Sequence, residues 1–386
     1  MSKIGIYLTG LGQSFQQESV EKYAARFKNE MNLNSDSNYH LKVEKVNYTD
    51  EQTSTVVSII NEVNDEVVYK FYEFKYKELL TERFNKYNIL IKNFFLFFLV
   101  VRKSPIVLLR LFKSDSYRRT GQTFYVFAIF FLVSVAIIFL LPSVILFVSE
   151  LKGIDKTVKP FLSSLTNISA VFIPFVTFLL LVTPQSKTLI TTLATEFACA
   201  DSYIQYGAQS QVVLGNLDLL IEYIQEKEED SKIHMHSYSF GTLIAIDLLF
   251  PIGNVPARNS KDLVELLITI GTPYEFINAY YPNFYSKRSK EMDDKIKWVN
   301  VFSISDALAT NFRKDATDGA AESGIKDSVL RPINVNYEIA SFQSNGFFNF
   351  FTLHHIKAHK LYWDESVQGQ SCMRKTYNEM VKLNMV

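Results

Sequence analysis

Cysteine is scarce in this chain of 386 residues, which contains only Cys199 and Cys372. The two residues form neither a Cys-x-x-Cys pair nor the spacing of a zinc finger, so neither a disulfide framework nor a cysteine-based metal site is expected. Reduced thiols in a reducing compartment fit this usage. We therefore expect structural or incidental roles for both residues.

Net charge is also lacking, because 40 Lys and Arg residues balance 40 Asp and Glu residues. Nucleic-acid binding usually accompanies an excess of basic residues, so no nucleic-acid partner is expected. Residues 1–15 contain no apolar core long enough for a signal peptide and instead predict a first strand followed by a glycine loop. Export through a cleaved signal is therefore not expected.

Long apolar runs are abundant in this chain. Hydrophobic residues make up 48% of the sequence, including 32 Phe and 21 Tyr, which is more than a soluble surface usually carries. Residues 124–148 are uncharged, and at about 1.5 Å per residue a helix of this length exceeds a bilayer core of roughly 30 Å. Residues 162–182 are also uncharged and close to the ~20 residues that a span requires.

These two runs predict a transmembrane helical hairpin within residues 122–185. Two buried core helices are the alternative, but adjacent uncharged runs of this length are rare in soluble domains. Six basic residues lie before the first run between positions 102 and 119 and Lys187 follows the second, against three between the runs, so both ends of the hairpin should face the cytosol. We expect a multi-pass membrane protein with two spans, in contact with the lipid bilayer, whose folded domain faces the cytoplasm.

The segment 89–121, which precedes the hairpin, is both apolar and basic. Within it, residues 89–112 are interrupted by Lys92 and Arg110. This pattern favours an interfacial segment whose cations extend toward the lipid headgroups. A third true span is the alternative.

The remainder alternates between strand and helix patterns, which predicts the α/β class: a mostly parallel sheet with helices on both faces. Residues 1–88 would form the first part of this domain, ending in a helical stalk over 53–87, and residues 186–386 would form the second part. The other predicted elements are strands at 3–9, 40–48, 233–238, 263–270, 296–304 and 332–339, and helices at 16–31, 217–227 and 353–363.

Residues 232–249 predict a strand, a sharp turn at Ser239 and a helix, which is the local geometry that exposes a nucleophilic serine. Small residues are needed two positions before and after the serine, because strand and helix approach closely there. Ser237 and Gly241 occupy these positions. The pattern is therefore Ser-x-Ser-x-Gly rather than the stricter Gly-x-Ser-x-Gly.

A serine hydroxyl needs a histidine to accept its proton and a carboxylate to orient that histidine. Asp306 directly follows the strand predicted at 296–304, at the end of the sheet where functional groups of α/β folds gather. Asp315 and Asp318 lie nearby in a looser loop and are the alternatives. Asp306 is preferred because it follows the strand directly.

His354, His355 and His359 cluster near the C-terminus. His359 begins a His-x-x-Tyr-Trp motif whose aromatic residues can anchor the next helix, so we prefer it to His355 as the base. His234 and His236 share one face of a strand, but no third ligand stands at a suitable spacing. We therefore expect neither a metal nor another cofactor.

Two backbone N–H groups would have to form an oxyanion hole for the charge on the attacked carbonyl oxygen. Phe240, directly after the serine, can supply one. The loop after the first strand, Thr-Gly-Leu-Gly, can supply the other through Leu11 or Gly12, because glycines let a backbone approach substrate closely.

The order Ser239, Asp306, His359, with the serine on an elbow, resembles the α/β-hydrolase superfamily, particularly its lipases and esterases. The sequences ITIGTP at 268–273, Trp-x-Asn-Val-Phe before the acid and His-x-x-Tyr-Trp at the base are similar to segments of that family. The resemblance covers about three quarters of the chain. It departs at Ser237, where glycine is usual, and at Thr9, where many relatives carry histidine.

The resemblance implies a serine hydrolase that cleaves carboxylic esters through an acyl-enzyme. Combined with the predicted hairpin, it implies a membrane-anchored enzyme that acts on ester or thioester bonds of lipids or lipidated substrates. One alternative is a general carboxylesterase that is merely anchored to the membrane. Another is a scaffold or receptor that uses the fold without catalysis.

Overall fold

The computed structural model describes residues 3–11, 19–80, 199–205, 208–228, 231–253, 255–281, 283–306, 308–313, 315, 317–337, 358–359, 361–363 and 371–386, with seven single residues between 98 and 167. Apart from those single residues, the predicted interfacial segment 89–121 and hairpin 122–185 lie outside the described residues. Within the part of the chain that is described, no helix has the length and apolarity of a membrane span.

The described residues form a nine-stranded mixed sheet, in the order β2-β3-β4-β1-β5-β6-β7-β9-β8. The strands from β4 to β9 in this order are parallel to one another, whereas β2 and β3 at one edge and β8 at the other pair antiparallel. The bounds are β1 Lys3–Leu8, β2 Tyr39–Asn47, β3 Thr53–Asn61, β4 Val67–Glu73, β5 Ile233–Tyr238, β6 Val264–Ile270, β7 Lys297–Phe302, β8 Gly319–Ala320 and β9 Ile333–Asn336.

Helices cover both faces of this sheet. On one face, α2 and α3 bury apolar side chains such as Leu217 and Leu243, and on the other α1 and α6 bury Phe27 and Tyr377. The prediction of a mostly parallel α/β sheet between helices is confirmed. The helices are α1 Val20–Asn34, α2 Ala208–Lys227, α3 Gly241–Leu249, α4 Arg258–Leu263, α5 Tyr274–Tyr280 and α6 Cys372–Lys382, and a 3-10 turn spans Leu361–Trp363.

The prediction of a helical stalk over 53–87 is wrong for residues 53–73, which form β3 and β4. β3 is rich in Thr, Val and Ile, whose branched side chains favour strands. Asn61 starts the turn between the two strands, because its side chain accepts from the Val63 N–H at 2.9 Å. Only residues 77–80 are helical in the described part of this segment.

The remaining elements lie close to their predicted positions, with three differences. Helix α1 begins at Val20 because Ser19 caps it, accepting from the Lys22 N–H. Helix α2 starts nine residues earlier than predicted, at Ala208. Of the closing helix predicted at 353–363, the described residues show a helical residue, Ala358, and the 3-10 turn, whereas α4, α5, α6 and the short strand β8 were not predicted.

Both cysteines are buried thiols. Burial raises the pKa of the Cys372 thiol to about 12. A thiol with such a pKa is unreactive at neutral pH, which agrees with the structural role expected for it.

Candidate active site

Ser239 stands on a strained turn between β5 and α3. Its backbone has a positive φ of 51°, which is unusual for a residue other than glycine. The Ser239 N–H donates to the Ile270 carbonyl of the neighbouring strand at 2.9 Å and fixes the turn against β6. A strained residue held in this way is typical of functional sites.

Gly241 allows the elbow to form. A Cβ atom at this position would lie 2.6 Å from the carbonyl oxygen of Leu8 and 2.7 Å from that of Thr9. Both atoms belong to the backbone and cannot rotate away. Only glycine therefore lets α3 start so close to the end of β1.

Ser237 occupies the other position at which a small residue was expected. Its side chain is fully buried, and its hydroxyl donates to the Ile268 carbonyl of β6 at 2.6 Å. Serine is therefore accommodated here because the neighbouring strand accepts its hydroxyl proton.

The structure brings together Ser239, His359 and Asp306. The Ser239 Oγ lies 2.7 Å from Nε2 of His359, and Nδ1 of His359 lies 2.7 Å from Oδ2 of Asp306. Asp306 is fully buried and His359 is 8% exposed, whereas Ser239 is only partly buried. The carboxylate holds the Nδ1–H tautomer, which leaves Nε2 free to accept the serine proton. These are the contacts that an activated serine requires.

The alternative acids lie elsewhere. Asp315 is exposed and forms an ion pair with Arg313 at 2.7 Å, a contact that lowers the pKa of its carboxyl group. Asp318 accepts from the backbone N–H of Asn336. Among these three aspartates it is Asp306 that contacts His359. His354 and His355 lie outside the described residues.

His359 is held by contacts that leave its Nε2 directed at the serine. The Tyr238 ring stacks on the imidazole at 5.5 Å between centroids, and its hydroxyl donates to the His359 carbonyl. Gly271 has a positive φ of 59°, and a Cβ there would lie 3.2 Å from Cε1 of the imidazole. The glycine at the end of the ITIG sequence thus makes room for the base.

The expected oxyanion loop lies against the serine. A Cβ on Gly10 would be 3.1 Å from the Ser239 Cβ, so the backbone after β1 contacts the nucleophile closely. The Tyr76 hydroxyl donates to the Thr9 carbonyl at 2.5 Å and holds this loop in place. Leu11 is buried here, and Gly12 lies outside the described residues.

Phe240 immediately follows the serine and caps the N-terminus of α3. The amide groups and dipole at a helix N-terminus stabilise negative charge. Phe240 and the backbone at Gly10 therefore both adjoin Ser239.

His234 and His236 lie fully buried within a line of hydrogen bonds. His236 contacts the hydroxyls of Tyr23 at 2.8 Å and Tyr69 at 2.9 Å, and His234 contacts Tyr69 at 2.8 Å and Glu265 at 3.0 Å. Burial lowers the pKa of both imidazoles. All four ring nitrogens thus have protein partners. Among the described residues, no cluster of ligands suits a metal.

Comparison of the chain with protein-family models, with curated proteins and with solved structures finds no match. Function must therefore be inferred from the side chains of the site.

The sequence did not predict the roles of two residues of the site. Tyr238, in the elbow sequence itself, holds His359, and Tyr362 donates to Oδ2 of Asp306 at 3.0 Å. The His-x-x-Tyr-Trp motif contains Tyr362, but it indicated a core anchor rather than a partner of the acid. The placement of this hydroxyl depends on packing between distant segments.

Proposed function

We propose that this protein is a membrane-anchored serine hydrolase that cleaves ester or thioester bonds of lipids or lipidated substrates. The proposal rests mainly on the unbroken hydrogen-bond chain from Asp306 through His359 to Ser239, with the serine on a strained elbow. The mixed sheet, the elbow and the order of the three residues support an α/β-hydrolase-like scaffold.

The reaction would proceed in two halves. In the first, Ser239 Oγ attacks the carbonyl carbon while His359 Nε2 takes its proton, and the resulting oxyanion accepts from the Phe240 N–H and an N–H of the loop at Leu11. The imidazolium then gives its proton to the leaving alcohol or thiol, which leaves an acyl-Ser239. In the second half, His359 activates a water, which hydrolyses the acyl-enzyme and restores the serine.

The lipid part of the proposal is supported by the sequence. The uncharged runs at 124–148 and 162–182 each have the length of a bilayer span. Basic residues flank the pair on both outer sides, which favours a folded domain on the cytoplasmic face. A site held at the membrane would meet lipid or lipidated substrates.

A fluorophosphonate probe tests the chemistry, because it reacts only with activated serines. We expect the detergent-solubilised protein to be labelled, and Ser239→Ala to abolish labelling. His359→Ala should lower the turnover of an ester substrate by roughly 10⁴-fold or more, whereas His355→Ala should not lower it. Labelling that persists in Ser239→Ala, or none in the natural chain, would rule out this function.

Substrate preference is tested separately with esters of increasing acyl length. The full chain should prefer long acyl chains, and deletion of 122–185 should reduce that preference more than activity on a short soluble ester. Equal activity on all lengths, unaffected by the deletion, would instead indicate a general esterase with a membrane anchor.

A further inference from the structure

The hydroxyl of Tyr362 lies between two groups of the loop that carries the acid. It accepts from the Ser303 N–H at 2.9 Å and donates to Oδ2 of Asp306 at 3.0 Å. Tyr362 is 2% exposed, so water does not compete for these bonds.

The direction of these bonds is fixed. A tyrosine hydroxyl has a single proton, and since the Ser303 N–H already donates to its oxygen, that proton is available to the Asp306 carboxylate. Burial, with the nearby Asp306 charge as a further cause, raises the pKa of Tyr362 well above its usual value. The hydroxyl therefore stays protonated and remains a donor.

Asp306 thus accepts from three groups in the part of the chain that the structure describes. Oδ2 receives both the Tyr362 hydroxyl and Nδ1–H of His359, and Oδ1 receives the Leu308 N–H at 2.9 Å. Because Tyr362 and His359 share one oxygen, the strength of the tyrosine bond affects how much charge that oxygen offers to the imidazole.

Tyr362 and His359 also belong to one short stretch of chain, three positions apart. Both side chains pack where Gly271 has no Cβ, since that atom would lie 3.0 Å from the Tyr362 ring and 3.2 Å from His359 Cε1. The segment that supplies the base therefore also supplies a donor to the acid.

We propose that Tyr362 is a positioning residue, whose hydroxyl fixes the Asp306 carboxylate and moderates its hold on the His359 imidazolium. The inference rests on the proposed hydrolase function of this triad. Without the hydroxyl, Oδ2 would keep His359 as its one partner within the described residues, the imidazolium would be held more tightly, and the base would accept protons at higher pH.

Tyr362→Phe tests this role through the pH dependence of Ser239 labelling by a fluorophosphonate. We expect the acidic limb of the labelling rate to move up by about half a unit to one unit, and the rate on that limb to fall by about three- to tenfold. The matched control is Tyr337→Phe, a buried tyrosine whose ring lies 5.9 Å from that of Tyr362. Its acidic limb should stay in place.

Incorporation of 3-fluorotyrosine at position 362 gives the opposite change. The fluorine makes the hydroxyl a stronger donor without removing it, so the acidic limb should move to lower pH. This variant also keeps the test decisive if Tyr362→Phe does not fold. An unchanged limb in a folded Tyr362 variant would overturn the inference.

A titration of His359 by nitrogen NMR, in the Ser239→Ala background, separates this inference from the proposed function. The His359 signal is assigned by its loss in His359→Asn. Adding Tyr362→Phe should raise the titration midpoint of this signal, whether or not the protein hydrolyses any ester. An unshifted midpoint refutes the role of Tyr362 while leaving the hydrolase function intact. Labelling that does not depend on Ser239 refutes the hydrolase function itself.

Discussion

The Oγ of Ser239 lies 2.7 Å from Nε2 of His359, although 120 positions separate the two residues in the chain. The serine is placed by the turn after β5, and the histidine by a segment that follows β9. Their contact therefore requires that β5, β6, β7 and β9 pair in the observed order. An active serine in this protein is consequently also evidence that the parallel strands from β5 to β9 have paired.

Gly241→Ala should destabilise the protein. The new Cβ would meet the carbonyl oxygens of Leu8 and Thr9 at 2.6 and 2.7 Å, so either α3 or the end of β1 must move. We expect a loss of about 1–3 kcal/mol or more in the free energy of unfolding, measured by chemical denaturation, together with slower labelling of Ser239.

Gly215→Ala is the matched control for this substitution. Gly215 lies within α2, and a Cβ there would meet nothing within 4 Å. Alanine should therefore stabilise the helix by about 0.5–1 kcal/mol. Equal effects of the two substitutions would mean that the close approach at Gly241 does not govern stability.

Ser237→Ala should keep the reactive serine but weaken the fold. The substitution removes the hydroxyl that donates to the Ile268 carbonyl and leaves the size of the residue nearly unchanged. We expect a loss of about 1 kcal/mol in the free energy of unfolding, with fluorophosphonate labelling at the rate of the natural chain. Loss of labelling in a folded Ser237→Ala protein would show instead that Ser237 takes part in the chemistry.

Stability should fall in mildly acidic solution because of His234 and His236. Burial lowers the pKa of both in the folded state, whereas an unfolded histidine titrates near 6.5. The unfolded chain therefore binds more protons below this pH. The contribution of the two neutral histidines to the free energy of unfolding is complete above about pH 6.5. It is lost as the pH falls toward the lowered pKa values, by up to about 1.4 kcal/mol per pH unit for each histidine.

Urea titrations between pH 5 and 7.5 measure this dependence. His236→Gln should make it shallower, because glutamine can contact Tyr23 and Tyr69 but does not titrate. The exposed His40 provides the control, since His40→Gln should leave the dependence as it is. An equally steep dependence in His236→Gln would assign the effect to other groups.

Local patterns made the elbow and most strands predictable. The small residues lie two positions on either side of Ser239, and Asp306 lies in the loop that follows β7, so short stretches of sequence were enough to select them. The hairpin of β3 and β4 could not be selected in this way. Its aromatic and charged residues also fit a helical spacing, and pairing with β1 decides in favour of strands.

The tyrosine contacts lay beyond sequence reasoning for a different reason. Tyr362 reaches Asp306 across 56 positions, and Tyr238 reaches His359 across 121. Each bond depends on the direction of a side chain within the assembled core. A motif can place such a tyrosine near the site, but only packing between distant segments selects its partner.

The sulfur of Cys199 lies 3.6 Å from the carbonyl oxygen of Leu80, although the two residues are 119 positions apart. Residues 80 and 199 therefore lie side by side at the edge of the long stretch of chain that separates them. A stretch whose two ends adjoin can change in length without altering the connectivity of the strands on either side of it. Ser239, Asp306 and His359 all follow position 199, so such a change would leave the chain that carries the triad intact.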